Sequence, residues 1–128
     1  VAALGITPDK LMHDMNTFGL LFETMAVRDL RIYADAIDAK VYHYRDKDEL
    51  ECDAVIERRD GSYGLVEIKL GGDYAISEAQ ITLNALAKKI NTDKVGKPSF
   101  RMVLTAIGKY ALRLEDGTLV VPIGCLKH

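Results

Sequence analysis

The sequence predicts a single α/β domain: a mixed β-sheet flanked by helices, with a β-hairpin at its C-terminal end. Three observations predict it. Apolar residues recur at helical spacing in two long segments, about 16–36 and 73–90. Between and after them lie short runs in which apolar residues alternate, the mark of a half-buried strand. Two Asp-Gly pairs, Asp60-Gly61 and Asp116-Gly117, sit between such runs and read as hairpin turns. The resulting order is αβββαβββ. A strand–helix–strand crossover after a hairpin meander calls for a mixed sheet with helices on its faces.

Length and composition agree. The 128 residues fit one domain with one core. At 48% hydrophobic and 28% charged, the chain belongs with folded globular domains and not with disordered ones. No apolar run reaches the ~20 residues that span a bilayer. Val1 opens an apolar stretch without a basic leader, so no secretory signal is expected and the expected location is cytoplasmic. The missing initiator Met points to a piece of a longer chain.

Val1 to Gly5 reads as the tail of a helix, stopped by Gly5 and Pro8, and Asp9 to His13 as a short helical turn. Residues 1–15 are therefore assigned to a preceding helical segment and 16–128 to the domain. Asn16 or Thr17 is expected to cap the first long helix, which runs to about Ala36. At ~100° per residue, Thr24, Arg28, Arg31 and Asp35 form a polar stripe, and Phe18, Leu21, Phe22, Met25, Ala26, Leu30 and Tyr33 cover the rest. Glu23 falls off that stripe, on an apolar flank. There it is either a partly exposed or capping carboxylate, or one held for a purpose, because burial is costly unless something satisfies it.

Three strand-like runs follow. Val41 to Tyr44 is short and aromatic, and Arg45-Asp46-Lys47-Asp48 is a turn. Glu51 to Glu57 alternates, with Cys52, Ala54 and Ile56 on one face and Glu51, Asp53 and Val55 on the other. Leu65 to Leu70 places Val66, Ile68 and Leu70 opposite Leu65, Glu67 and Lys69. Gly71-Gly72-Asp73 breaks this strand. The second helix follows to about Ile90, with Ile76, Ala79, Leu83, Leu86, Ala87 and Ile90 as its buried stripe. Phe100 to Thr105 reads as a buried strand, and Tyr110 to Leu114 pairs with Thr118 to Ile123.

Cysteine and histidine exclude a zinc site. Cys52 and Cys125 are too few and too far apart, and are expected as buried free thiols. His13, His43 and His128 form no ligand pair. The net charge of −2 gives no general support for nucleic-acid binding. Lys88, Lys89, Lys94, Lys97 and Arg101 do lie close in sequence, either as a solvated helix end favoured by the helix dipole or as a phosphate-contacting edge.

Chemistry concentrates in the second and third strands. Glu67 and Lys69 are two apart, so they share a face; alone this spacing is common, and a surface ion pair explains it equally well. Register decides more. A three-residue loop of Arg59-Asp60-Gly61 sets position 58 against 62 and Asp53 against Glu67, with Cβ atoms ~5 Å apart. A two-residue loop of Asp60-Gly61 sets Asp53 against Ile68 and destroys the cluster. Alternation favours the former, since it puts Leu65 beside Val55. Two carboxylates so placed repel unless a cation lies between them. Lys69 supplies one charge, and Mg²⁺ or Mn²⁺, hard cations that prefer oxygen, would supply two. Glu23 is a candidate for a second metal. Gln80 has two open readings: it reaches toward Lys69, or it completes a Ser77-x-x-Gln80 capping box.

With residues in this order, the chain resembles the PD-(D/E)XK nuclease-like superfamily. The resemblance implies a restriction-endonuclease-like αβββαβ core. It carries over Glu23 on the first helix, Asp53 on the second strand, Glu67 with Lys69 on the third and Gln80 on the next helix, with the Ile68 backbone carbonyl as a further metal ligand. The chain also resembles the C-terminal domain of uncharacterised bacterial and archaeal AAA+-type ATPases. The matching stretches are Gly19-Leu20-Leu21-Phe22-Glu23, Tyr44-Arg45-Asp46, Glu51 to Ile56, Val66 to Leu70 and the tail from Gly117 to Ile123. The chain departs from that pattern at Cys52, Ala54 and Ile68. No Gly-x-x-x-x-Gly-Lys-[Ser/Thr] loop occurs, so a covalently linked N-terminal ATPase domain is the implied partner. The expected functions are metal-dependent hydrolysis of DNA or RNA, or an inactive nuclease-fold module that binds nucleic acid or a partner.

Overall fold

The computed structural model describes residues 7–92 and 96–126, without the side chains at 11, 12, 91 and 92. Helix α1 spans Pro8–Ala36, and strands β1 (Ala39–Arg45), β2 (Glu51–Arg58) and β3 (Tyr63–Lys69) follow. Helix α2 (Asp73–Thr92) crosses over to β4 (Phe100–Thr105), and β5 (Leu112–Arg113), β6 (Leu119–Pro122) and a 3-10 turn, Ile123–Cys125, complete the chain. One six-stranded sheet has the order β1-β2-β3-β4-β6-β5. Pairing is antiparallel from β1 to β3 and between β5 and β6, and parallel between β3 and β4 and between β4 and β6. The mixed sheet, flanking helices and C-terminal hairpin expected from the sequence are all present, although β5 and β6 are shorter than expected.

The first helix differs from expectation. It begins at Pro8, without a break at 15/16, and not at Asn16 or Thr17. Thr7 caps it: its hydroxyl accepts from the Lys10 amide at 3.1 Å, Pro8 takes the first turn and Asp9 meets the positive end of the helix dipole. Pro8 is thus a helix start, where its missing N–H costs nothing, and not a stop. The expected helical tail at Val1 to Gly5 lies outside the described residues. Asp38 ends the helix region at φ 59°, just after Ile37 and Asp38 donate back to Ala34 and Asp35.

Each helix buries one face against the sheet. Phe22, Ala26, Leu30 and Ala34, spaced four apart, pack on Ala54, Ile56, Val66, Ile68 and Leu104. Ala79, Leu83 and Leu86 of α2 pack on the opposite face, against Cys52, Val55, Tyr63, Leu65, Val103 and Val120. The apolar band expected on α1 was too wide, because Phe18, Leu21 and Met25 turn away from the sheet and are exposed. Among the described residues no helix is long and apolar enough to cross a membrane.

The β2–β3 turn is the three-residue loop. Arg58 N–H donates to Ser62 at 2.8 Å, and Gly61 N–H returns to Arg58 at 3.0 Å with Gly61 at φ 89°. The β5–β6 turn repeats it: Leu114 donates to Thr118 at 2.8 Å, Gly117 to Leu114 at 2.9 Å, and Gly117 has φ 90°. In both, the Asp before the glycine accepts the amide two residues on, Ser62 or Thr118, at 2.9 Å.

Gly64 marks a close approach on the α1 side. A Cβ there would lie 2.0 Å from the Phe100 ring, which packs over the bare backbone where β3 meets β4. Gly64→Ala is expected to destabilise the domain by about 1–3 kcal/mol through overpacking. Urea titration checks this, and the penalty should shrink when Phe100→Ala is present. A penalty unchanged by Phe100→Ala would mean that the ring is not the obstacle.

Candidate functional site

The β2–β3 ladder runs from Glu57↔Tyr63 to Ala54↔Val66. Its register continues to place Asp53 opposite Glu67. There the regular pattern ends, because β2 carries a β-bulge on its other side. Tyr42 pairs with Val55 and Tyr44 with Cys52, so His43 alone faces both Asp53 and Ala54. A bulge inserts one residue and re-aims the side chains that follow. This corrects the expected alternation: Cys52 packs with Val55 on the α2 side, while Ala54 and Ile56 stay on the α1 side. Asp53 lies between, and its Oδ2 accepts the Ile68 amide at 2.8 Å. That amide would serve the pair 52/68 if the ladder continued. Cys52 Sγ bonds across the same gap to the Val66 carbonyl at 3.4 Å.

Glu67 is the buried carboxyl of this group, 6% exposed on a strand whose residues from Tyr63 to Ile68 are all buried. Burial pushes its pKa up to about 9, aided by a hydrogen bond to Asp53 and by the charge of Asp53, while Lys69 pulls the other way and Glu23 adds to the rise. A proton on Glu67 therefore does at neutral pH what a cation between the carboxyls would do. Glu23 is half-buried on α1. Its carboxyl is also raised, first by burial, then by Asp53 and Glu51, against the pull of His43 and Lys69. The structure thus brings Glu23, Asp53, Glu67 and Lys69 into one electrostatic neighbourhood.

Two further groups belong to it. His43 Nε2 lies 2.5 Å from Glu51 Oε1, and both act on Glu23. The sequence offered no route to them, since the bulge that sets His43 opposite Asp53 leaves no mark in the strand pattern. A groove lined by Met15, Asn16, Gly19, Glu23, Ile68 and Lys69 runs between α1 and the end of β3.

Gln80 is placed differently. Helix α2 starts at Asp73, so Ser77 is inside the helix and is no cap. Gln80 is among the side chains that hold the Asp116 carboxyl low, after Asn84 and against the effect of burial. The basic cluster also separates: Lys89 pairs with Asp46 at 2.8 Å and with Asp48, Arg101 donates to Asn84 and to the Asp116 main chain, and Lys94 lies outside the described residues. Arg101 is level with Leu65 and Val103 with Glu67, so Arg101 lies two residues, ~7 Å, along the sheet from the level of Glu67. Asp46 also takes the Asp48 and Leu50 amides at 2.9 and 3.0 Å, so it shapes the β1–β2 turn. Of the two free thiols, Cys52 is buried as expected, but Cys125 is half-buried. Burial, with the charge of Glu67, pushes Cys52 up to about 12 and makes it inert.

Among the described residues no three His, Cys, Asp or Glu side chains converge to hold a metal. The oxygen donors at the end of the ladder are two carboxyls, Asp53 and Glu67, and the Ile68 carbonyl. That set does not make an all-protein cage, but it fits Mg²⁺ or Mn²⁺, which bind through one or two carboxylates and keep their remaining positions for water and phosphate.

The molecule is a mixed α/β domain with a carboxyl pair, one member buried, at the open end of a β-ladder. By sequence it belongs to a family described as a domain of unknown function (DUF4143), whose model matches residues 18–126 and which is often found with AAA ATPases. No curated protein and no solved structure matches the chain.

The protonated Glu67 has a pH signature. Below its ordinary value of 4.5 the carboxyl is protonated both folded and unfolded, and its burial carries no penalty. Above 4.5 the unfolded chain releases the proton while the folded chain holds it to about 9, so stability falls as pH rises through this window. In metal-free buffer, the Tm of the wild type is expected to drop relative to Glu67→Gln between those limits. Parallel Tm curves would show that Glu67 is not held protonated.

Proposed function

We propose that this domain is a metal-dependent nuclease of the PD-(D/E)XK type, acting on phosphodiester bonds of DNA or RNA. The observation that carries the reading is the Asp53–Glu67 carboxyl pair, set opposite one another at the end of the β2–β3 ladder with Lys69 on the same strand. The αβββαβ order and the Glu23 carboxyl, within electrostatic reach of Asp53, support it, and they support a restriction-endonuclease-like core. Mg²⁺ or Mn²⁺, held by Asp53, Glu67 and the Ile68 carbonyl, would polarise the phosphoryl group and acidify water when bound.

The chain's own residues supply the rest. The Ile68 amide fixes the Asp53 carboxylate. Lys69 orients the attacking water and offsets charge that develops on the phosphate. Glu23 holds a second cation or orients that water. The water oxygen bonds to phosphorus, the bond from phosphorus to one ester oxygen breaks, and a proton ends on the leaving oxygen. Gln80 has no part in this scheme, since it is drawn to Asp116. A covalently linked ATPase domain that delivers the nucleic acid is part of the same proposal.

A second reading has its own support. The cations Lys97 and Arg101 line a groove that includes neither carboxyl of the pair, and Glu67 is buried, which favours a nuclease-fold module that binds nucleic acid or a partner without cutting.

A panel of single-stranded, duplex and branched substrates with Mg²⁺, Mn²⁺ or Ca²⁺ separates the two. The nuclease reading expects cleavage with Mg²⁺ or Mn²⁺ and poor cleavage with Ca²⁺, whose looser coordination positions water less well. Asp53→Asn should abolish cleavage and leave the fold intact. Lys69→Ala should lower turnover more than metal affinity. Substrate binding without cleavage, with metal bound, would favour the binding module.

A further inference from the structure

A groove of about 440 Å³ opens where the C-terminal half of α2 meets the start of β4. Its walls include the cations Lys88, Lys97 and Arg101, the Ser99 hydroxyl and the Asn84 amide, and among the described residues no carboxylate side chain lines it. The imbalance is local, since the whole chain carries 17 basic and 19 acidic residues.

Arg101 is built into its place. One guanidinium N–H donates to Asn84 Oδ1 and another to the Asp116 main-chain oxygen. Both acceptors are neutral, so these bonds fix the planar fork without discharging it. The Asp116 carboxylate is taken up by other donors, accepting from Asn84 Nδ2 and from the Thr118 amide, each at 2.9 Å. Three elements therefore hold one guanidinium: α2 through Asn84, β4 through Arg101 itself, and the β5–β6 turn through Asp116. Gly117 completes the wall. A Cβ there would lie 3.5 Å from Arg101 Nη2, so any longer side chain would reach over the guanidinium. Lys97 is exposed on the segment that enters β4, with Ser99 two residues on. The adjacent Lys89, by contrast, is committed to Asp46 and Asp48.

We propose that this groove binds a phosphate-bearing ligand, gripped by Arg101 and Lys97 with Ser99 donating its hydroxyl. The guanidinium fork matches two phosphate oxygens at once, and Lys97 adds a point charge. The volume suits a ligand of nucleotide size. The site lies toward the end of α2 remote from Asp73, neither carboxyl of the pair lines it, and it does not depend on the nuclease reading. The phosphate belongs either to a free nucleotide or to the backbone of a nucleic-acid strand.

Amide NMR shifts test this, with inorganic pyrophosphate as one probe and a short oligothymidylate as the other, on wild type, Lys97→Glu, Lys97→Ala, Arg101→Gln and Asp53→Asn. The expected result is perturbation at residues 97–101 and 117, weakened about tenfold or more by Lys97→Glu. Tighter binding of oligothymidylate, with a salt slope reduced by about one in Lys97→Ala, identifies a strand backbone. Tighter binding of pyrophosphate identifies a free phosphate ligand. Asp53→Asn should bind like wild type. Lys97→Glu is exposed and keeps the test valid if Arg101→Gln unsettles the turn. Groove amides unmoved by millimolar amounts of both probes, wild-type binding by Lys97→Glu, or loss of binding in Asp53→Asn would each overturn the proposal.

Discussion

The Arg58 amide closes on the Ser62 carbonyl at 2.8 Å, and Gly61 takes the left-handed conformation that this closure needs. A turn one residue shorter would slide β2 against β3 and set Asp53 opposite Ile68. The observed turn holds 58 opposite 62, and every later pair inherits that register down to Ala54↔Val66. The side chains at the end of the ladder follow from it. Asp53 meets Glu67, Lys69 lies two residues on, and α1 brings Glu23 within electrostatic reach of Asp53. Helix packing reinforces the register, because Ala54, Ile56, Val66 and Ile68 reach Phe22, Ala26 and Leu30 only when both strands keep their faces.

A second constraint acts at the same place. The bulge opposite His43 releases β2 from strict alternation just where the carboxylate is needed. It moves Cys52 into the α2-side core and frees Asp53 to take the Ile68 amide from within the plane of the sheet. The anchored carboxylate then sits against a carboxyl that has lost its water. Burial alone would raise Glu67; Asp53 raises it further, and Lys69 offsets only part of the effect. The metal-free domain resolves this by keeping a proton. The Lys89 contacts with Asp46 and Asp48 tie the β1–β2 turn, which leads into Asp53, to the C-terminal part of α2.

Much of this was legible in the residues. Alternation and the Asp-Gly pairs located the strands, and the choice between two loop lengths at Arg59-Asp60-Gly61 fixed the Asp53–Glu67 pairing. What escaped has physical causes. Pro8 reads as a stop when Thr7 is not recognised as a cap. The breadth of apolar residues on α1 concealed that only the ridge Phe22, Ala26, Leu30 and Ala34 meets the sheet. The bulge arises from pairing with β1, a non-local event, so Cys52 was given the wrong face and His43 no role. Gln80 was ambiguous because its partner, Asp116, is distant in sequence and comes near only when β6 adds to the sheet beside β4. The shared turn pattern at Arg58 to Ser62 and Leu114 to Thr118, by contrast, is visible in the string Asp-Gly-Ser/Thr and recurs in both hairpins.

On the function proposed above, the Asp53–Glu67 pair is a cation site in which a proton takes the place of the metal. A metal that binds there must displace that proton. Isothermal titration of Mn²⁺ at pH 7, repeated in buffers of different ionisation enthalpy, measures both events together. The account predicts binding to wild type with release of about one proton per metal, and no comparable binding to Asp53→Asn. Binding without proton release, or equal binding by Asp53→Asn, would contradict it.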